Sequence, residues 1–305
     1  MRVDRTRSPF AIVFTAVLAL GSVFGADPAR GTPALDSRTA YYLPHLTWDE
    51  VESYLRSSDM VILPVGSIEQ HGKHLPLASD IIQANEICLR IGQRAKVLVA
   101  PVVLAGVSEH HMGFPGTIAL SPETFEAVLY ETAQSLIAHG FRRIILYSGH
   151  GGNDPSVSRV AFRINRETPA IAIDLARVDF PAPAPRIASL KADSHAGVEE
   201  TSMMLLLAGG LVQMAKAENP QVTYPPDVRA VLEKSSAGAQ AALLDSMLFK
   251  PVRTGKHTST REITSNGVVT ESDVKTADAE IGTLAVEQRV EGVVRFIEAW
   301  RAASP

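Results

Sequence analysis

From residue 60 onward, short unbroken apolar runs are separated by longer stretches with helical periodicity. MVILPV (60–65), VLVAPVV (97–103), RRIILYS (142–148) and AIAIDLA (170–176) each read as a strand covered on both faces, because a strand with one wet face would alternate apolar and polar residues. Between them, DIIQANEICLRIGQRA (80–95) reads as a helix opened by Asp80. SPETFEAVLYETAQSLIAHG (121–140) reads as another: Ser121 caps it, Pro122 suits its first turn, Glu123 complements its dipole and Gly140 ends it. A helix also fits between the third and fourth strands, and a short one fits Trp48–Leu55. VEETSMMLLLAG (198–209) predicts a largely buried helix stopping at Gly209–Gly210, and the segment from Asp273 to Trp300 a long amphipathic one that closes the domain.

Alternating strands and helices define an α/β layer fold with a mostly parallel sheet. In such sheets ligands bind beyond the carboxyl ends of the strands, here the segments after residues 65, 103, 148 and 176. Residues 220–272 break the alternation, with a Pro pair at 225–226 and polar stretches such as RTGKHTSTREITSNG. They are expected to form an excursion over the sheet edge or at a subunit contact.

The start of the chain follows another pattern. Arg2, Arg5 and Arg7 precede an apolar run from Pro9 to Phe24 and then small residues around Val23 and Gly25. This arrangement predicts a signal peptide over 1–26, a Pro/Gly-rich linker over 27–42, and one domain over 43–305, placing the mature protein in the periplasm or outside the cell, free of the membrane. The run is only slightly short of a bilayer span, so an uncleaved anchor is the alternative. Composition changes little else: 305 residues, 46% hydrophobic and 20% charged, suffice for a substantial core. A net charge of −4 offers no footprint for nucleic acid, and the single cysteine, Cys88, excludes an intrachain disulfide.

Chemistry gathers where the strand ends lie. The first strand leads into GSIEQHGKHLPLASD, with Glu69 and His71 two apart and therefore on one side of an extended backbone, then Asp80. The second leads to Glu109, His110 and His111, the third to SGHGGND with His150, and the fourth to DSHAGVEETS with His195, Glu199 and Glu200. Taken singly, each has a plain explanation. Glu-X-His pairs are mostly solvated loop residues, and Glu199–Glu200 suits the exposed first turn of a helix. His74, His110 and His111 fit packing roles, and His45, His139 and His257 look structural. Together, however, carboxylates and imidazoles without thiolates suit divalent ions such as Zn²⁺ or Mn²⁺, with iron a further option. Three acids and two imidazoles exceed a one-metal catalytic site and fit two, with Asp80 bridging, Glu69 and His150 on one ion, and His71 and Glu200 on the other. Ser148, Gly151, Asn153 and His111 are the candidates for contact with substrate.

PVGSIEQHGKHLPLASD, SEHHMGFPGTIALSPET, SGHGGN and HAGVEETS, in this order, resemble the successive signatures of the creatininase family, with NGVVTESDVKTADAEIG a looser match; the resemblance spans about residues 43–300. It implies a three-layer α/β/α sandwich, often assembled as a homo-oligomer up to a hexamer. It also implies metal ligands at Glu69, His71, Asp80, His150 and Glu200, favouring Glu200 over Glu199 because the family acid directly precedes Thr-Ser. His195 matches the histidine that transfers protons beside the metals. Two positions depart from creatininase itself: Gly152 stands where it has a glutamate, and residues 154–194 contain none of its pocket tryptophans. The metal site is thus expected to be kept while the creatinine pocket is not. Other branches act as deformylases on pyrimidine-type intermediates or as peptidases in cofactor maturation. The expected activity is hydrolysis of a linear or cyclic amide in a small molecule, with His195 protonating the departing nitrogen. A metallohydrolase of another bond, such as a phosphoester, and a non-catalytic periplasmic metal- or solute-binding protein are the competing readings.

Overall fold

A computed structural model describes residues 40–175, 180–191, 193–219, 223 and 259–303. The expected signal peptide and nearly all of the linker lie outside the described residues. Among those described, no helix is long and apolar enough to cross a membrane.

The chain begins with α1 (Trp48–Leu55), β1 (Met60–Val65), α2 (Ser79–Ala95), β2 (Leu98–Val99), α3 (Pro122–Ala138) and β3 (Arg143–Ser148). It continues with α4 (Asp154–Glu167), β4 (Ile171–Asp174), α5 (Pro185–Ala188), α6 (Val198–Ala208) and α7 (Ala279–Ala303). The four strands lie in the order β2-β1-β3-β4, all neighbours parallel. Alternate residues point to opposite faces. Met60, Ile62, Ile145 and Tyr147 join a core with Ile87 and Ile91 of α2, Met203 of α6, and Val290 and Val293 of α7. Val61, Leu63, Val65, Ile144 and Leu146 meet Phe125 and Leu129 of α3 and Val157 and Ile164 of α4 on the other side. Both faces are covered, which makes this a three-layer α/β/α sandwich and explains why all six residues of β1 are buried.

Register carries this frame to the site. Met60 through Val65 pair one-to-one with Arg143 through Ser148. The two central strands therefore end level, and Gly149 N donates to Val65 O at 2.9 Å. The loops bearing Glu69 and His150 start side by side.

Several elements differ from expectation. The second strand is only two residues long: Ala100 N still donates to Ile62 O at 2.8 Å, and past Pro101 the chain rejoins β1 at Val103, whose N donates to Pro64 O at 3.0 Å. Tyr42, assigned to the linker, instead bridges to Val99 at the sheet edge. Asp80 does not open α2: the helix starts at Ser79 after Ala78, and the Asp80 carboxylate turns inward. The closing helix starts at Ala279, with Asp278 accepting from Ile281 N at 2.8 Å, and Asp273 caps a separate single turn over Val274–Thr276. Of 220–272, residues 220–222 and 224–258 lie outside the described residues. Residues 259–272 run over the strand ends rather than the sheet edge, and Val269 pairs antiparallel with His195.

One cap positions the site directly. The N-cap residue of α6 is Gly197, which has no side chain to offer, and Asp193 reaches over it. Its two carboxylate oxygens accept from Val198 N and Glu199 N, each at 2.8 Å. This fixes the first turn, where Glu200 resides. We expect Asp193→Ala to lower unfolding free energy by about 0.5–2 kcal/mol, the usual worth of such a cap, as read from urea denaturation.

Candidate active site

Glu69, His71, Asp80, His150, His195 and Glu200 converge beyond the ends of β1 and β3. Glu69, Asp80 and His71 are fully or almost fully buried, and His150 is buried. His71 Nε2 lies 3.0 Å from Asp80 Oδ1 and 3.7 Å from Glu200 Oε2. His150 Nε2 lies 3.1 Å from Glu69 Oε2, and its Nδ1 lies 3.4 Å from Asp80 Oδ2. Asp80 thus stands between two imidazoles, one oxygen facing each. His195 Nδ1 is 3.7 Å from Glu69 Oε1. Among the described residues, potential ligand atoms fall into three groups, Glu69–Asp80–His150, His71–His195–Glu200 and Glu69–His111–His195, the atoms of each within 4.8 Å of one another.

Two observations fit divalent cations. Glu69 Oε1 and Asp80 Oδ2 are buried yet accept no hydrogen bond, an expensive arrangement unless a cation meets them. The nitrogen–oxygen separations of 3.0–3.7 Å also bracket the roughly 3.4 Å between two ligands about 2.1 Å from a tetrahedral ion.

Electrostatics point the same way. Burial opposes charge on Glu69, but His150 and His111 outweigh it and hold its carboxyl well below the usual range. Burial and then the Glu69 charge push Asp80 up to about 6. Burial disfavours protonated His71, yet Asp80 raises it to about 10; His150, likewise opposed by burial, is raised by Glu69 to about 9. Protons on these imidazoles hold the carboxylates together in the metal-free protein.

The structure separates the expected substrate contacts. Ser148 and Gly151 line a cavity of about 240 Å³ that opens onto His150, His195 and Glu200. Asn153 does not line it: fully buried, it accepts from Val107 N at 2.8 Å and donates to Gly66 O at 3.0 Å, tying together the loops after β1 and β2. His111 lies behind the cavity, buried, with Nε2 3.3 Å from Glu69 Oε1. A larger groove of about 1090 Å³ runs along α4 and β4, but none of the three ligand groups borders it.

The neighbouring acid, Glu199, is turned away. Its Oε1 pairs with Arg289 Nη2 of α7 at 2.7 Å, while Glu200 Oε2 accepts from Ala196 N at 2.6 Å and faces His71. Burial lowers His74, with the His71 charge adding to it, to about 4, and its Nε2 bonds Thr201 Oγ1 at 2.9 Å, the packing role expected for it. Sequence reasoning missed Ser108, whose hydroxyl donates to Glu69 Oε2 at 2.5 Å and also contacts Ser67. It missed Gln70, Asp193 and Arg289 too. Only Gln70 carried a signal, its place between two proposed ligands. At Gly152, an added Cβ would lie 2.2 Å from His150 Nε2 and 2.4 Å from Val107 O, so no side chain fits between His150 and the loop after β2.

Acids and imidazoles gathered at the carboxyl ends of a parallel sheet, inside an α/β/α sandwich, define an α/β protein with a candidate metal centre. The family model for creatininase, creatinine amidohydrolase, matches residues 44–297, and the chain belongs to the creatininase family. A creatinine amidohydrolase of Pseudomonas putida is 31% identical over 205 residues, 61% of this chain and 79% of that protein. A mycofactocin precursor peptide peptidase of Mycobacterium tuberculosis is 28% identical over 254 residues, 80% of this chain and 86% of the relative. Among solved structures, a manganese creatininase superposes with a TM-score of 0.65 at 24% identity, covering 85% of this chain and 98% of the other. A mutant creatininase of Zn-Zn type superposes with a TM-score of 0.64, at the same identity and coverage.

Because His71 and His150 are protonated at neutral pH without metal, cation binding expels those protons, and affinity rises with pH until the imidazoles are already neutral. Zinc titrations by calorimetry in buffers of different ionisation enthalpy are expected to report release of about two protons near pH 7. Asn153→Ala leaves two buried backbone groups unpaired, for a loss of about 2–5 kcal/mol in urea unfolding with KM unchanged.

Proposed function

We propose that the protein hydrolyses a C–N bond, in a linear or cyclic amide of a small molecule, using water activated between two divalent cations. The observation that carries this reading is Asp80, buried between His71 and His150 with one oxygen toward each, so that the Glu69–His150 pair and the His71–Glu200 pair share one carboxylate. Glu69, Asp80 and His150 would hold one ion and His71, Asp80 and Glu200 the other. Zinc or manganese suits these donors, as the forms of the similar creatininases suggest. When bound, the cations lower the pKa of water toward about 7 and polarise the scissile carbonyl.

The remaining roles fall to the chain itself. His195 lines the cavity, with Nε2 2.7 Å from the main-chain oxygen of Gln70 and Nδ1 toward the ligand cluster. Nδ1 is the atom that takes a proton from the attacking water and returns it to the departing nitrogen, which would otherwise leave as an amide anion. The Gln70 carbonyl supports the positive charge His195 carries between the two transfers. Burial, and in the metal-free protein the His71 charge, lower the His195 pKa, so the ring starts neutral and ready to accept. Gly151 and Ser148 leave a small polar space beside the ligands. No tryptophan lies between 154 and 194, so a substrate other than creatinine is favoured. We also infer export directed by residues 1–26 and assembly as a homo-oligomer.

His195→Ala is expected to keep its metal and lose about 10²–10⁴-fold in kcat, whereas Asp80→Ala loses metal. Elemental analysis alongside a panel of formamides, lactams, dipeptides and phosphoesters checks both. A second reading, in which His195 is itself a ligand, draws on its presence in two of the three ligand groups, and equal metal loss in both variants would establish it. Full activity after exhaustive chelation would falsify the metal reading altogether.

A further inference from the structure

Gln70 lies between two proposed ligands and is itself turned elsewhere. Its side chain is 4% exposed, and its Oε1 accepts from Gly72 N at 3.0 Å, which leaves Nε2 as the donor end. Three atoms surround Nε2: Gly267 O at 3.0 Å, His111 Nδ1 at 3.0 Å and His195 Nε2 at 2.9 Å. An amide has two hydrogens for these three neighbours. The choice among them follows from His195. Its Nε2 is also 2.7 Å from Gln70 O, and a carbonyl only accepts, so this nitrogen carries a hydrogen and cannot receive another. The two amide hydrogens therefore go to Gly267 O and His111 Nδ1.

Each ring is thereby assigned a form. His195 has its hydrogen on Nε2 and its lone pair on Nδ1, facing Glu69 Oε1 and the cavity. His111 has its lone pair on Nδ1, where Thr260 Oγ1 also lies 2.9 Å away, and its hydrogen on Nε2, which lies 3.3 Å from Glu69 Oε1 as a charge–dipole neighbour without a hydrogen bond. His111 then braces Glu69 rather than holding a cation.

Thr260 and Gly267 both belong to the stretch 259–272 that crosses the strand ends. Gly267 has φ +85°, and a Cβ there would lie 1.8 Å from Gln70 Oε1. Gln70 and this crossing stretch fit only because residue 267 has no side chain. We propose that Gln70 is a positioning residue for both rings: its main-chain oxygen holds the His195 hydrogen on Nε2 and so makes Nδ1 the atom that moves protons, while its side chain, pinned by Gly267, holds the His111 hydrogen on Nε2. The role given to that atom rests on the hydrolase reading above; the hydrogen placement does not.

The test uses the full-length metal-loaded protein labelled with ¹⁵N-histidine. Long-range ¹H–¹⁵N spectra read the hydrogen position on each ring directly. The wild type should show both His195 and His111 with hydrogen on Nε2. Gln70→Glu keeps the shape and the acceptor for Gly72 but loses both donor hydrogens, so His111 is expected to switch or populate both forms. With a substrate in hand, kcat should fall about 10–100-fold with KM within twofold and metal content unchanged. Gly267→Ala touches neither ring, yet should disturb the same signals by displacing Gln70. In Gln70→Ala/Gly267→Ala the added methyl has room and only the strain of an alanine at φ +85° remains, so the ring signals of the double variant should match those of Gln70→Ala alone. The proposal is overturned by wild-type-like ring signals in Gln70→Glu, by an undisturbed Gly267→Ala, by ring signals in the double variant unlike those of Gln70→Ala, or by metal loss in Gln70→Glu. A wild type inactive on every amide but with the hydrogens placed as assigned would sink the hydrolase reading and leave this one standing.

Discussion

The arrangement turns on one electrostatic constraint: negative carboxylates sealed beneath the strand ends, with imidazoles as their nearest positive neighbours among the described residues. Charge taken out of water costs several kcal/mol per ion even after the protein relaxes. Glu69 and Asp80 are buried almost completely, and each keeps one oxygen without a hydrogen bond. A folded chain tolerates that only if counter-charge is supplied at a fixed place. Protons on His71 and His150 do so in the metal-free state, and divalent cations would do it better because each can satisfy several oxygens at once.

Fixing the place is the task of the rest of the fold. β1 and β3 are locked residue to residue and end level, so Glu69 and His150 enter the site from adjacent loops. The first turn of α2 delivers Asp80, and that of α6 delivers Glu200. Around these the structure places polar ties rather than apolar filling: Asn153 between two loops, Asp193 over the start of α6, Arg289 drawing Glu199 aside, Ser108 against Glu69. Each restrains a group whose displacement by an ångström would leave a buried charge unmatched.

The parts of this design that depend on local chain chemistry were legible in the sequence. β1 and β3 announce themselves as unbroken apolar runs because helices cover both faces, and α3 carries its own cap and terminator. The ligand candidates were findable because fold logic says where a strand ends, and chemistry-bearing residues follow each end. What stayed hidden depends on distant partners. Asn153 resembled a substrate contact because nothing near it in the chain reveals that Val107 and Gly66 claim both ends of its amide. Asp80 passed for a helix cap since Asp at that point usually is one. The stretch 259–272 has no periodicity, and its purpose appears only when Gln70, His111 and His195 are seen against it.

The two proposed ion positions are unequally sheltered. Glu69, Asp80 and His150 are all buried, whereas the second set, His71, Asp80 and Glu200, includes one acid, Glu200, that is partly open to the cavity. An ion in the inner seat can leave only when the surrounding loops part, while one in the outer seat meets solvent through the cavity mouth. Dialysis would therefore strip the outer seat first, producing a half-filled protein, and refilling with a different element would yield an ordered mixed pair instead of a random one.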